Sequence, residues 1–98
     1  MVNVNMNATV VTGNIRLGGW TNQIGANCNN NVFAGNTMSG DITLVGGALA
    51  TNNVISGNAM SGNDIDTSAT NGGNTITGNT NVGVLTPDAA DDITGGNT

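Results

Sequence analysis

Charged side chains are scarce in this sequence. Of its 98 residues, one is basic, six are acidic and none is histidine, which leaves a net charge of −5. Binding to nucleic acid depends on clustered Lys and Arg, so a lone Arg16 excludes nucleic acid as a partner. Charged residues make up only 7% of the chain, against about a quarter of an average soluble domain. Asn, Thr, Ser and Gly must therefore form the surface.

Aromatic residues and long apolar runs are also scarce. One Phe, one Trp and no Tyr leave aliphatic side chains and Met for the interior, which favours a thin, layered core. The longest apolar stretch, residues 42–50, contains Thr43 and two glycines and is too short to cross a bilayer, so no membrane insertion is expected. The N-terminus has neither the basic head nor the apolar stretch of a signal peptide. We expect an extracellular or cell-surface protein whose leader is absent or removed, with a cytosolic location as the alternative.

Gly-Asn pairs recur along the chain at a nearly constant spacing. Their glycines are Gly13, Gly35, Gly57 and Gly78, at intervals of 22, 22 and 21 residues. A short run rich in β-branched residues precedes each pair: residues 10–12, 32–34, 54–56 and 75–77. This period predicts an all-β fold, a parallel β-solenoid of about four coils, in a single domain that spans residues 1–98. Too much Gly, Asn and Thr is present for a helical repeat.

The clearest repeats resemble a known family. Residues 53–62 (NVISGNAMSG) and 74–79 (NTITGN) are similar to the degenerate repeats of right-handed parallel β-helix proteins of the pectate-lyase-like superfamily. The resemblance covers roughly residues 10–84. It implies a fold that many secreted and surface proteins share, and it implies little about activity.

Two columns of equivalent residues follow from aligning the repeats. The apolar column, predicted to stack in the core, is Val11, Phe33, Ile55 and Ile76. The amide column, predicted to form an Asn ladder at a corner, is Asn14, Asn36, Asn58 and Asn79. A side-chain amide both donates and accepts, so identical residues one coil apart can satisfy one another. Turn residues that face water are the alternative interpretation of these Asn residues. Met38 and Met60 are expected to form a second inward column, which Arg16 and Asn81 interrupt in the outer repeats.

Residues suited to catalysis are nearly absent. The resemblance implies acidic metal ligands and basic residues on one face in the family's enzymes, but this chain has no His and no Lys. Arg16 with Asp41 or Asp64 does not make an acid–base pair. We therefore expect no enzyme, no catalytic residue, no bound cofactor and no metal site. Asp64 and Asp66 resemble a single copy of a calcium-binding nonapeptide, and one copy is not an array.

Three further features stay open. Cys28 is the one cysteine, so it is either a small buried thiol or half of a disulfide between subunits. Three acidic residues lie close together near the end of the sequence: Asp88, Asp91 and Asp92. They form either a solvated loop or a cation site. Trp20 is either packed over one end of the core or exposed as a platform for carbohydrate.

These features favour a structural protein that assembles with itself. We expect head-to-tail stacking of copies into an extracellular filament, because the Gly-Gly-Asn-Thr unit of residues 72–75 returns at residues 95–98. The assembly strand is predicted within residues 1–9, where Val2, Val4 and Met6 alternate with polar residues. Residues 85–98 are expected to form a less regular terminal coil. The alternatives are a surface- or carbohydrate-binding adhesive module and a fragment of a longer fibre or tailspike. Ice binding is disfavoured, since paired Thr residues occur in only one repeat.

Overall fold

The chain is built from short β-strands. The computed structural model describes residues 10–13, 15–17, 22–24, 29–47, 50–70 and 72–98, and within those ranges it contains no helix. In chain order the strands are β1 (Val10–Thr12), β2 (Ile15–Leu17), β3 (Asn22–Ile24), β4 (Val32–Ala34), β5 (Thr37–Met38), β6 (Ile42–Gly47), β7 (Val54–Ser56), β8 (Ile65–Thr70), β9 (Thr75–Thr77), β10 (Leu85–Thr86) and β11 (Asp92–Thr94). The prediction of an all-β chain is confirmed for these residues.

All paired strands run parallel. The first sheet has the order β1-β4-β7-β9-β11, the second has the order β10-β8-β6-β3, and β2 pairs with β5 in a third. Isolated parallel bridges from Thr37 to Ala59 and from Ala59 to Thr80 extend the third sheet. Partners in each sheet come from successive repeats of the sequence, so the 22-residue period is a period of strand pairing.

The strands of the first sheet share one pattern of burial. In β4, β7 and β9 the middle residue is buried and its two neighbours are half-buried on the outer face. Branched side chains such as those of Ile55 and Ile76 favour this extended, half-buried geometry. Each strand is cut short by a glycine in the left-handed region, as at Gly57 with a φ of 61°, a conformation that costs glycine little.

The core is a narrow row of side chains between the sheets. Its members are fully or almost fully buried: Phe33, Met38, Ile42, Leu44, Ile55, Met60, Ile65 and Ile76. Val82 and Leu85 are partly buried and pack against it. All three sheets contribute inward side chains, so contacts between repeats hold this core together.

Candidate functional site

The predicted apolar column lies in register in the first sheet. Phe33 is opposite Ile55, and Ile55 is opposite Ile76. All three are at most 2% exposed. The backbone of Val11 pairs with that of Phe33, although the side chain of Val11 is outside the described part of the structure. Ile93 pairs with Ile76 and adds a further member that the sequence comparison missed, because the last spacing is shorter.

The predicted Met column is buried too. Met38 and Met60 are at most 1% exposed. The next equivalent position, Asn81, is exposed and has a φ of 52°. Val82 follows it and packs against the core. The interruption at Asn81 is thus a left-handed turn that carries the chain on to an apolar residue.

The predicted Asn residues form a buried ladder, here called the first ladder. The main-chain N and Nδ2 of Asn36 both donate to Oδ1 of Asn58, each at 3.0 Å. Asn58 repeats this arrangement toward Asn79, at 3.0 and 2.9 Å. Asn79 repeats it toward Asn97, at 3.1 and 2.8 Å. The sequence comparison aligned Asn97 with Asn74 through the Gly-Gly-Asn-Thr units, and that alignment is wrong: Asn97 lies opposite Asn79, only 18 residues away. Asn14 lies outside the described residues.

The amides of Asn58 and Asn79 also contact the preceding repeat. Nδ2 of Asn58 donates to the carbonyl of Phe33 at 2.9 Å, and Nδ2 of Asn79 donates to that of Ile55 at 3.0 Å. Both Nδ2 hydrogens and Oδ1 of these residues therefore have partners, which removes the cost of burying an amide. Asn36, Asn58 and Asn79 are at most 1% exposed, so they are not turn residues that face water.

A second ladder precedes the strands of the first sheet. The main-chain N and Nδ2 of Asn31 donate to Oδ1 of Asn53, at 3.1 and 3.0 Å. Asn53 donates to Oδ1 of Asn74 in the same way, at 3.1 and 3.0 Å. The final acceptor is a carboxylate, Oδ1 of Asp91, at 3.0 Å from both donors of Asn74. The sequence shows Asn in front of three strands, but it gives no sign that these residues are buried or that Asp91 joins them.

Three further carboxylates accept hydrogen bonds from main-chain N–H groups. Oδ1 of Asp41 accepts from the main-chain N of Asp64, and Oδ1 of Asp64 accepts from that of Val84, both at 2.8 Å. Asp66 accepts from the main-chain N of Ser68 at 2.9 Å. Among the described residues, no group of three or more His, Cys, Asp or Glu could hold a metal ion.

Several residues singled out in the sequence cannot be placed. Outside the described residues lie Val2, Val4, Met6, Asn14, Trp20 and Cys28. Arg16 is placed through its backbone in β2 only. The assembly strand and the aromatic platform therefore stay predictions.

The described surface is made of flat faces and strand edges. No pocket is found within it, and none of its residues belongs to a helix that could span a membrane. No family model matches the sequence, and neither a curated protein nor a solved structure matches it. The best-defined site is thus the pair of ladders, whose chemistry joins one repeat to the next.

Proposed function

We propose that the chain is a parallel β-solenoid of about four coils and serves as a structural protein, with copies that stack head to tail into an extracellular filament. Support comes from the order of the strands: β4, β5 and β6 belong to three different sheets, and β7 returns to the first. In the proposed solenoid, one such path makes one coil. The proposal assigns the chain no catalytic activity and makes a second copy its partner.

The observation that carries this function is the exposure of Ile93. The apolar column is at most 2% exposed at Phe33, Ile55 and Ile76, but Ile93 in the same column is 40% exposed. An apolar side chain at this place is suited to packing beneath a further strand of the same kind, which a second copy can supply.

The edge strand beside Ile93 supports the same partner. β11 ends the first sheet among the described residues, and an edge strand presents unpaired main-chain groups. Between repeats, the contacts already consist of parallel main-chain pairing, a stacked aliphatic column and ladder amides. A second copy brings all three kinds of contact, whereas an unrelated protein or a sugar brings none of them in register.

The proposal is tested with Ile93→Asp and a matched control, Thr94→Asp. Both place one carboxylate on β11, but residue 93 belongs to the inward column and Thr94 is exposed on the outer face. We expect the wild-type protein and Thr94→Asp to form fibres in the electron microscope. We expect Ile93→Asp to stay small by light scattering after size exclusion, since the charge cannot be solvated beneath another strand.

Thermal unfolding of each protein checks that the subunit itself stays folded. A wild-type protein that is monomeric at every concentration contradicts the proposed function. Fibres of equal length from Ile93→Asp place the contact elsewhere, on an outer face.

A further inference from the structure

The two ladders end differently. In both ladders, each Asn donates two hydrogen bonds to the next ladder residue, one from its main-chain N–H and one from its Nδ2. The first ladder reaches Asn97, which has both groups. The second reaches Asp91, where an oxygen stands in place of Nδ2. A carboxylate only accepts hydrogen bonds. Asp91 therefore lacks the side-chain donor that each Asn of the ladder has.

The other donor at Asp91 is consumed by a tight turn. The main-chain N of Asp91 donates to the carbonyl of Asp88 at 3.1 Å. Oδ2 of Asp91 accepts from the main-chain N of Asp88 at 3.1 Å and from the hydroxyl of Thr67. Oδ1 of Asp88 accepts from the main-chain N of Ala90 at 2.9 Å. The main-chain N and Oδ2 of Asp91, which occupy the places of the two ladder donors, are thus engaged by Asp88 and Thr67.

That turn lies against the end of the second sheet. The last ladder spacing is short: Asp91 follows Asn74 by 17 residues, whereas the earlier spacings in the second ladder are 22 and 21. The carbonyl of Ala90 accepts from the main-chain N of Gly73 at 3.1 Å. A Cβ on Gly72 would lie 2.5 Å from that of Ala90, so only glycine lets the turn pack so closely. β10 pairs with just the first two residues of β8, and the turn follows where a longer strand would continue.

We propose that Asp91, with the turn of residues 88–91, is a built-in stop that ends the second ladder and opposes addition of another repeat along this corner. An incoming ladder residue presents its Oδ1 toward the donors of the residue before it. At Asp91 the incoming Oδ1 would face a negatively charged carboxylate oxygen. Both groups are acceptors, so they repel each other and form no hydrogen bond. This proposal rests on the proposed self-association and says where the second copy makes contact. The second copy packs against Ile93 and continues the first ladder from Asn97, whereas Asp91 opposes continuation of the second ladder.

The test uses Asp91→Asn, with Asp92→Asn as the matched control. Both remove one negative charge from neighbouring positions, but Asp92 is exposed and lies outside the ladder. Asn at position 91 keeps the acceptor for Asn74 and restores the missing donor. We expect Asp91→Asn to raise the equilibrium constant of assembly, obtained from light scattering over a range of protein concentrations, about tenfold, the upper end of what one net hydrogen bond contributes. Asp92→Asn is expected to match the wild type.

A second variant, Asp88→Ala, guards against a folding defect at position 91. It loosens the turn by removing the bond to Ala90 but keeps the carboxylate of Asp91, so a smaller increase in the equilibrium constant of assembly is expected. Thermal unfolding verifies that all variants are folded.

The outcomes separate this proposal from the proposed function. Assembly of the wild type with no increase in Asp91→Asn and Asp88→Ala overturns the stop alone. A monomeric wild type beside an assembling Asp91→Asn supports the stop and overturns the filament as the native state. Equal increases in Asp91→Asn and Asp92→Asn show an effect of net charge and overturn the stop, and no assembly in any variant overturns both proposals.

Discussion

The first and second sheets are made by the same repeats, yet they differ in regularity. In the first sheet one register holds from β4 through β7 to β9 without a shift. In the second, the pairing of β6 with β8 shifts twice, from Thr43 opposite Asp66 to Val45 opposite Ala69, and again before Gly47. Parallel pairing alone therefore does not fix the register.

Buried polar contacts explain the difference. The strands of the first sheet lie between two ladders, with Asn53 before β7 and Asn58 after it. β6 and β8 have a comparable contact only before their first residues, where Asp41 accepts from Asp64. Among the described residues, no ladder follows these two strands. A slip by one residue in the first sheet would break several buried hydrogen bonds at once, whereas a slip late in β6 breaks none of this kind.

The largest effect is expected from breaking the apolar column of the first sheet. Ile55→Asp places a lone carboxylate where the side chain is 0% exposed, which should prevent folding. Ile55→Ala should lower the free energy of unfolding by about 2 to 5 kcal/mol. Ser56→Ala, on the outer side of the same strand, is the control. Circular dichroism and thermal unfolding measure all three, and a stable Ile55→Asp variant with unchanged β-sheet signal would contradict the assigned core.

The next effect is expected from breaking the first ladder. Asn58→Ala leaves two donors of Asn36 without their acceptor, and each stranded buried group costs about 1 to 3 kcal/mol. The exposed Thr80, whose main chain makes the bridge to Ala59, provides the control, since Thr80→Ala should change stability by less than about 0.5 kcal/mol. Urea denaturation compares the two. Similar midpoints for both variants would show that the ladder does not stabilise the first sheet.

The smallest effect is expected at the glycine that connects a strand to its ladder residue. Gly57 has a φ of 61°, and a Cβ there would meet no atom within 4 Å. Gly57→Ala should therefore cost only backbone strain, about 1 to 2 kcal/mol. Gly57→Asn should cost less, because Asn enters the left-handed region more readily than Ala. Equal losses for Ala and Asn, measured by thermal unfolding, would indicate that another contact at this position matters.

The sequence predicted the part of the fold that repeats and missed the part that does not. Phe33, Ile55 and Ile76 could be aligned because the spacing is nearly constant at their positions and each is the large apolar residue in the middle of a three-residue run. Asn97 and Ile93 could not, since the last spacings are shorter. Asn53 belongs to a ladder for a reason that no spacing reveals: its amide is buried and bonded to Asn31 and Asn74. Asp91 was grouped with other acidic residues because its charge was visible and its partners were not.

The direction of the first ladder restricts the symmetry of an end-to-end contact between copies. In each step the donors of one residue point toward the C-terminal neighbour, and the acceptor of the neighbour points back, from Asn36 to Asn58 to Asn79. The ladder thus has a direction, with donors at one end and an acceptor at the other. An isologous dimer that joined two identical ends would set donors against donors or acceptors against acceptors. Only heterologous contacts, in which the donor end of one copy meets the acceptor end of the next, preserve the pairing, so all copies joined in this way point in the same direction.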